Sequence, residues 1–140
     1  MDKIDQIFHI KSDNLNLELK NTLYNYGFRK KISEIKDINW QDKYSGFING
    51  FHIAKLESQL ITLQSIINTN YINTLIIEDD FMFIMDKDLL ESTIYQFFEQ
   101  YENNYDILLL TYDNYNTNIT DHDDIFISCD SYNIFTAYMI

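Results

Sequence analysis

Three consecutive acids directly after an apolar run are the feature that most constrains the fold of this chain. Residues 75–77 are apolar, and Glu78, Asp79 and Asp80 follow immediately. Such a run is typical of a buried strand, and open α/β sheets bind ligands at the carboxyl ends of their strands. Adjacent carboxylates repel one another, so the trio favours a divalent cation such as Mg²⁺ or Mn²⁺. The alternative is an acidic, solvated loop after the strand.

Segments with the pattern of strands are spread along the whole chain. Short apolar or alternating runs predict strands at residues 6–10, 31–35, 74–77, 106–110 and 125–129. A last apolar segment covers residues 133–140. Residues 40–50 and 112–124 are polar and are expected to be loops.

Segments with helical spacing lie between these strands. The first predicted helix begins near Ser12 and ends at Gly27, and the third begins at Asp86 or Asp88. The second is a long helix whose apolar residues step by three and four along one face: Ile53, Leu56, Leu60, Leu63 and Ile67. Alternating strands and helices predict a layered α/β fold with a mostly parallel sheet flanked by helices.

Length and charge limit the class of protein. The 140 residues fit one domain, residues 1–140, and 46% of them are hydrophobic. No run approaches the length of a membrane span. A net charge of −12 argues against nucleic acid and anionic membranes as partners. The start lacks the pattern of a secretory signal and there is one cysteine, so we expect a cytoplasmic protein.

Other residues with chemical potential are weaker candidates. Asp113 follows the predicted strand at 106–110 and would share a sheet edge with the acids if both strands are parallel. The acidic stretch at residues 121–124 contains His122, but its polar surroundings favour a solvated surface. His9 lies within the first predicted strand and is expected to be packed and hydrogen-bonded.

The order of these features resembles the family 25 glycosyltransferases, which include bacterial lipooligosaccharide sugar transferases and collagen galactosyltransferases. The similar segments are residues 7–10, the helix after Gly50, the core at 75–80, the run at 106–110 and the strand at 136–140. The family often has a Ser-His pair in the helix after the glycine, whereas this chain has Ser58 and Gln59. The resemblance implies a Rossmann-like fold of the GT-A type. Family members continue past the last strand, so the chain is expected to be the N-terminal part.

The resemblance also implies a function and a set of site residues. It implies transfer of a hexose from a UDP-sugar to a glycan or hydroxylated protein acceptor, with Mn²⁺ or Mg²⁺ as cofactor. Asp80 and Glu78 would bind the metal, and Glu78 and Asp79 would contact the nucleotide sugar. The catalytic base is not identified, and Asp113 is a weak candidate. An acidic protein that binds a diphosphate needs such a cation to reverse the local field.

Two other functions stay open. The main rival is a non-catalytic, truncated relative that serves as a binding or assembly module, with a homo-oligomer or a partner chain completing it. A phosphotransfer receiver-like domain also places clustered acids around Mg²⁺, but it needs acids at the end of the first strand. That strand is followed by Lys11, so the receiver-like function is the weaker of the two.

Overall fold

The computed structural model of the protein describes residues 2–12, 17–28, 32–79, 81–101, 104–105, 107–110, 119–122, 127–129 and 137–140. It contains seven strands among these residues: β1 (Gln6–Lys11), β2 (Ile32–Lys36), β3 (Thr74–Glu78), β4 (Leu108–Leu109), β5 (Ile119–His122), β6 (Ile127–Cys129) and β7 (Ala137–Met139). Four helices accompany them: α1 (Leu17–Asn25), α2 (Trp40–Lys43), α3 (Gly50–Ile67) and α4 (Lys87–Tyr101).

The main sheet has five strands in the order β2-β1-β3-β7-β4. Strand β1 is central to its parallel part, because it pairs in parallel with both β2 and β3. Strand β7 is antiparallel to β3 and to β4, so β4 runs in the same direction as the three parallel strands. The predicted α/β fold is confirmed.

Two parts of the chain differ from the sequence prediction. Strands β5 and β6 form a separate antiparallel ribbon, so the predicted loop at 112–124 contains a strand at its end. Helix α2 lies within the predicted loop at 40–50 and begins at an N-cap, because the Asn39 side chain accepts a hydrogen bond from the backbone of Gln41. Both elements are only four residues long, which is too short for hydrophobic periodicity to reveal.

Alternation along the strands divides the core into two clusters. Ile7, Leu75 and Ile77 point to one face and pack with side chains of α1 and α4. Phe8 and Ile76 point to the other face, where Leu63 of α3 packs against them. The parallel strands are therefore covered by helices on both faces, which is the layered arrangement that the sequence predicts.

Two helix boundaries follow from local sequence. Helix α1 ends in a Schellman motif: Gly27 adopts a φ of 91°, and the N–H of Phe28 donates to the Leu23 carbonyl at 3.0 Å. Glycine takes this left-handed conformation at little cost. Helix α4 begins after Asp86, whose carboxylate accepts from the Leu89 N–H at 2.9 Å. Both predicted signals, Gly27 and Asp86, are confirmed.

Helix α3 packs on the sheet through small and polar residues. Its buried residues are Gly50, Ala54, Ser58, Gln59 and Thr62. Spacings of four place small side chains in one row, which lets the helix approach the sheet closely. The Thr62 hydroxyl is satisfied within the helix, since it donates to the Ser58 carbonyl at 2.9 Å. Of the apolar residues at three and four spacing, Leu63 packs on the sheet, and the other four lie on an exposed side of the helix.

In the part of the chain that is described, no helix combines the length and apolar character needed to cross a membrane.

We expect Gly50→Ala to destabilise the fold. A Cβ at position 50 would lie 2.2 Å from the Tyr44 carbonyl oxygen, and backbone cannot move aside as a flexible side chain can. Such overpacking costs about 1–3 kcal/mol. Gly46→Ala is the matched control, because a Cβ there meets nothing within 4 Å. Thermal unfolding of both variants tests this, and equal melting temperatures would contradict the close contact.

Candidate functional site

The carboxyl ends of the three parallel strands form one polar edge of the sheet. Strands β1 and β2 end at Lys11 and Lys36, and β3 ends at Glu78. Ser12, Asp37 and Asp79 follow these strands directly. Because parallel strands end at the same edge, residues far apart in sequence meet there. We call this set of residues, with the helix side chains that contact it, the strand-end site.

Glu78 is buried on the face of the sheet covered by α3. Its Oε2 accepts a hydrogen bond from the Lys55 ammonium at 2.8 Å, and its Oε1 accepts one from the Gln59 amide at 2.8 Å. Both donors lie on α3, four residues apart, and so share one side of the helix. A carboxylate this deeply placed needs such partners, because an unpaired buried charge is strongly unfavourable.

Lys55 also contacts the end of strand β2. Its Nζ lies 3.0 Å from Asp37 Oδ2, so one ammonium bridges two carboxylates on neighbouring parts of the sheet edge. Burial on its own lowers the pKa of Lys55. The hydrogen bonds and charges of Glu78 and Asp37 together raise the pKa by more than burial lowers it, so the net shift is upward. Lys55 is therefore a fixed cation within the strand-end site.

Asp37 is held by a second set of bonds from the same helix. Its Oδ1 accepts from the Ser58 hydroxyl and from the Ile38 N–H, the latter at 2.9 Å. Ser58 is fully buried, and its Oγ lies 2.9 Å from the Ile38 nitrogen as well. Two polar side chains of α3, Lys55 and Ser58, thus fasten the helix to the end of β2.

Asp79 faces the opposite side of the sheet. Its Oδ1 accepts from His9 Nε2 at 2.6 Å, and its Oδ2 accepts from the N–H and the hydroxyl of Ser12, the N–H at 2.7 Å. His9 is buried in β1, which confirms that it is packed and hydrogen-bonded. Asp79 therefore has its partners on the side of the sheet opposite to those of Glu78.

Most of the remaining predicted site residues lie outside the described residues. Asp80, the first choice for a metal ligand, and Asp113, the weak candidate for a base, fall outside the described residues. Of the acidic stretch, Asp121 and His122 belong to β5, whereas positions 123 and 124 are not described. The structure therefore brings Glu78 and Asp79 to the strand-end site and does not test Asp80 or Asp113.

The described part of the chain does not by itself provide a divalent-cation site. It holds no group of three His, Cys, Asp or Glu side chains that could bind one ion. Each oxygen of Glu78 and of Asp79 accepts at least one hydrogen bond from a protein donor, and the Lys55 ammonium lies 2.8 Å from Glu78, so an ion at either carboxylate would share its oxygens with these donors. The expected cation therefore depends on Asp80.

Sequence reasoning missed Lys55 and Asp37 and did not assign roles to Ser58 and Gln59. A signal was available, because the polar residues of α3 recur at positions 55, 58, 59 and 62, which is helical spacing. A row of polar residues along one side of a helix, beside a row of apolar residues, indicates that the polar side also makes defined contacts. What the sequence cannot supply is the partner, since Asp37 and Glu78 are each about twenty residues away.

We expect Lys55→Met to destabilise the protein by about 2 kcal/mol or more, because it leaves Asp37 and Glu78 close together without their cation. Lys43→Met is the control. Lys43 pairs with Glu57 at 2.6 Å on the surface, and exposed pairs contribute about 0–1 kcal/mol. Denaturant unfolding measures both changes. Equal losses in the two variants would show that Lys55 is an ordinary surface lysine.

The raised pKa of Lys55 makes its contribution depend on pH. A raised pKa in the folded state gives stability that is fully present below the ordinary value of 10.5 and is lost as pH rises through the folded value. We therefore expect the stability difference between wild type and Lys55→Met to be constant near neutral pH and to shrink above about pH 10.5. Tyrosines titrate in both proteins and cancel in the difference. A difference that grows at alkaline pH would contradict the assigned shift.

Comparisons of the chain with protein-family models, with curated proteins and with solved structures gave no match. The resemblance to family 25 glycosyltransferases consequently stands as a hypothesis on the residues that suggested it. The strand-end site has Lys55 between Glu78 and Asp37, and His9 and Ser12 on Asp79.

Proposed function

We propose that the protein is a family 25-like glycosyltransferase domain of the GT-A type that binds a UDP-sugar at the strand-end site. In this proposal a hexose passes to a glycan or a hydroxylated protein side chain. The observation that carries it is the concentration of polar groups at the carboxyl ends of β1, β2 and β3. That edge is where open α/β sheets bind nucleotides and similar ligands.

The charges at this edge suit an anionic ligand only in part. Lys11 and Lys36 end two of the strands, and Lys55 of α3 contacts Glu78 and Asp37 at the same edge of the sheet. Lys11 pairs with Glu34 at 3.2 Å, and Lys55 is shared by two carboxylates. The surrounding acids therefore offset these cations. A diphosphate in such a field is bound more favourably together with a divalent cation.

Asp80 is the residue we propose as the ligand of that cation, Mn²⁺ or Mg²⁺. When bound, such an ion stabilises the negative charge that develops on a leaving nucleotide. Within the proposal, Glu78 and Asp79 keep their protein partners and contact the nucleotide sugar at the strand-end site. The acceptor hydroxyl also needs a base, for which Asp113 remains the candidate.

A second candidate function is a non-catalytic binding or assembly module with the same sheet. The observation that favours it is the engagement of Glu78 and Asp79 with protein donors. These carboxylates stabilise the fold in the described structure: Glu78 fixes α3 to β3, and Asp79 joins the ends of β1 and β3. A site in which these two acids have structural roles can persist without catalysis.

We expect a UDP-hexose with Mn²⁺ to raise the melting temperature, since a ligand specific for the folded state stabilises it by about 2.7 kcal/mol at a hundred times its Kd. For a chain of this length that is a shift of several degrees. Asp80→Asn should abolish the part of the shift that requires Mn²⁺. Glu99→Gln is the control, because Glu99 is an exposed acid near the far end of α4.

The outcomes separate the candidate functions. Absence of a shift with every UDP-hexose tested, with and without Mn²⁺, would contradict a donor site. A shift that Asp80→Asn leaves intact would remove the metal from the proposal but keep the nucleotide. If the shift is present, release of UDP from the donor in the presence of hydroxyl acceptors indicates the transferase, and binding without release indicates the module.

A further inference from the structure

One side of helix α3 exposes large apolar residues. Ile53, Leu56, Leu60 and Ile67 are exposed although they lie in an eighteen-residue helix that packs on a sheet. Leu63, on the same side, is partly buried against the second core cluster. We call these five residues the α3 seam. Scattered exposed apolar residues are ordinary, but a continuous row along a whole helix marks an interaction surface.

The spacing within the α3 seam is that of a helix-pairing surface. Its residues follow one another at intervals of three, four, three and four, which is the a and d pattern of a heptad repeat. An apolar row with this spacing forms a narrow stripe that packs against a matching stripe on another helix. The row runs from position 53 to position 67, which is about 21 Å along a helix axis.

The polar face explains why four of the five residues of the α3 seam are not buried within the fold. Lys55, Ser58 and Gln59 hold the opposite part of the helix against the sheet through Asp37 and Glu78. Turning the seam inward would break these bonds and leave buried acids without partners, which is strongly unfavourable. The apolar row therefore needs a cover from outside the described sheet and helices.

Charge identifies a second copy of the chain as a suitable cover. The net charge of −12 opposes self-association in general. Helix α3, however, carries only His52, Lys55 and Glu57 as ionisable residues. Lys55 contacts Glu78 and Asp37, and Glu57 accepts from Lys43 at 2.6 Å and from Tyr44. The α3 seam is thus a nearly neutral strip on an acidic protein, and two copies can meet there without bringing unpaired acids of α3 together.

We propose that two copies of this chain associate through their α3 seams in a two-fold symmetric helix pair. The same patch then serves on both partners, as a two-fold axis requires, and apolar seam residues of one copy pack between those of the other. Such pairing is independent of the proposed function, because it rests on the orientation, spacing and charge of α3.

Two adjacent residues of α3 give a matched test. Leu60 lies at the centre of the seam and is 49% exposed, whereas Ile61 is 38% exposed but points about 100° away around the helix. We expect sedimentation equilibrium to show a dimer for wild type and for Ile61→Lys. Leu60→Lys should raise the dissociation constant of the dimer on the order of a hundredfold or more, because each dimer loses two buried leucines. Leu56→Ser serves as a second seam variant if Leu60→Lys folds poorly.

Disulfide trapping checks the geometry directly. With Cys129 replaced by Ser, Leu60→Cys should form a covalent dimer under mild oxidation, and Ile61→Cys should not. A wild-type protein that stays monomeric across the concentration series would overturn the proposal. If, in that case, Leu60→Lys also lowers the melting temperature, another segment of the same chain covers the seam. Equal effects of Leu60→Lys and Ile61→Lys on the dimer would likewise exclude the seam.

Discussion

The ion bridge from Lys55 to Glu78 and Asp37 is the interaction on which the arrangement of this domain depends. It joins one helix to the ends of two parallel strands, with Nζ–oxygen distances of 2.8 and 3.0 Å. Gln59 and Ser58 add hydrogen bonds from the same helix to the same two acids. A carboxylate at the end of a buried strand is costly to desolvate alone, so these donors make the acidic strand end compatible with the fold.

The rotation of α3 about its axis follows from this bridge. Once the polar row contacts the sheet, the apolar row at heptad spacing has to lie on another side, and four of its five residues are exposed. One set of contacts therefore accounts for two surfaces, a polar strand-end site and an apolar seam. The same contacts place the Lys55 ammonium beside Glu78, and the described residues hold no group of three metal-binding side chains, so the proposed cation needs Asp80 as a ligand.

Local signals predict much of this fold from sequence. The apolar runs around Ile7 and Ile76 identify the central strands, and Gly27 and Asp86 mark helix boundaries through their own backbone and side-chain chemistry. The partners of the acids could not be predicted, because Lys55 meets Glu78 only after the sheet has formed. Helical spacing likewise reveals both rows on α3 but not which one faces the sheet. Long-range polar pairing decides that question, and it overrides the usual preference for apolar burial.

A double-mutant cycle between Lys55 and Glu78 tests the central interaction most directly. Unfolding free energies of wild type, Lys55→Met, Glu78→Gln and the double variant isolate the energy that the two side chains share. The account predicts a favourable coupling of about 1–3 kcal/mol, with the double variant less destabilised than the sum of the single changes. A coupling near zero would contradict it, because α3 would then be held in place by other contacts.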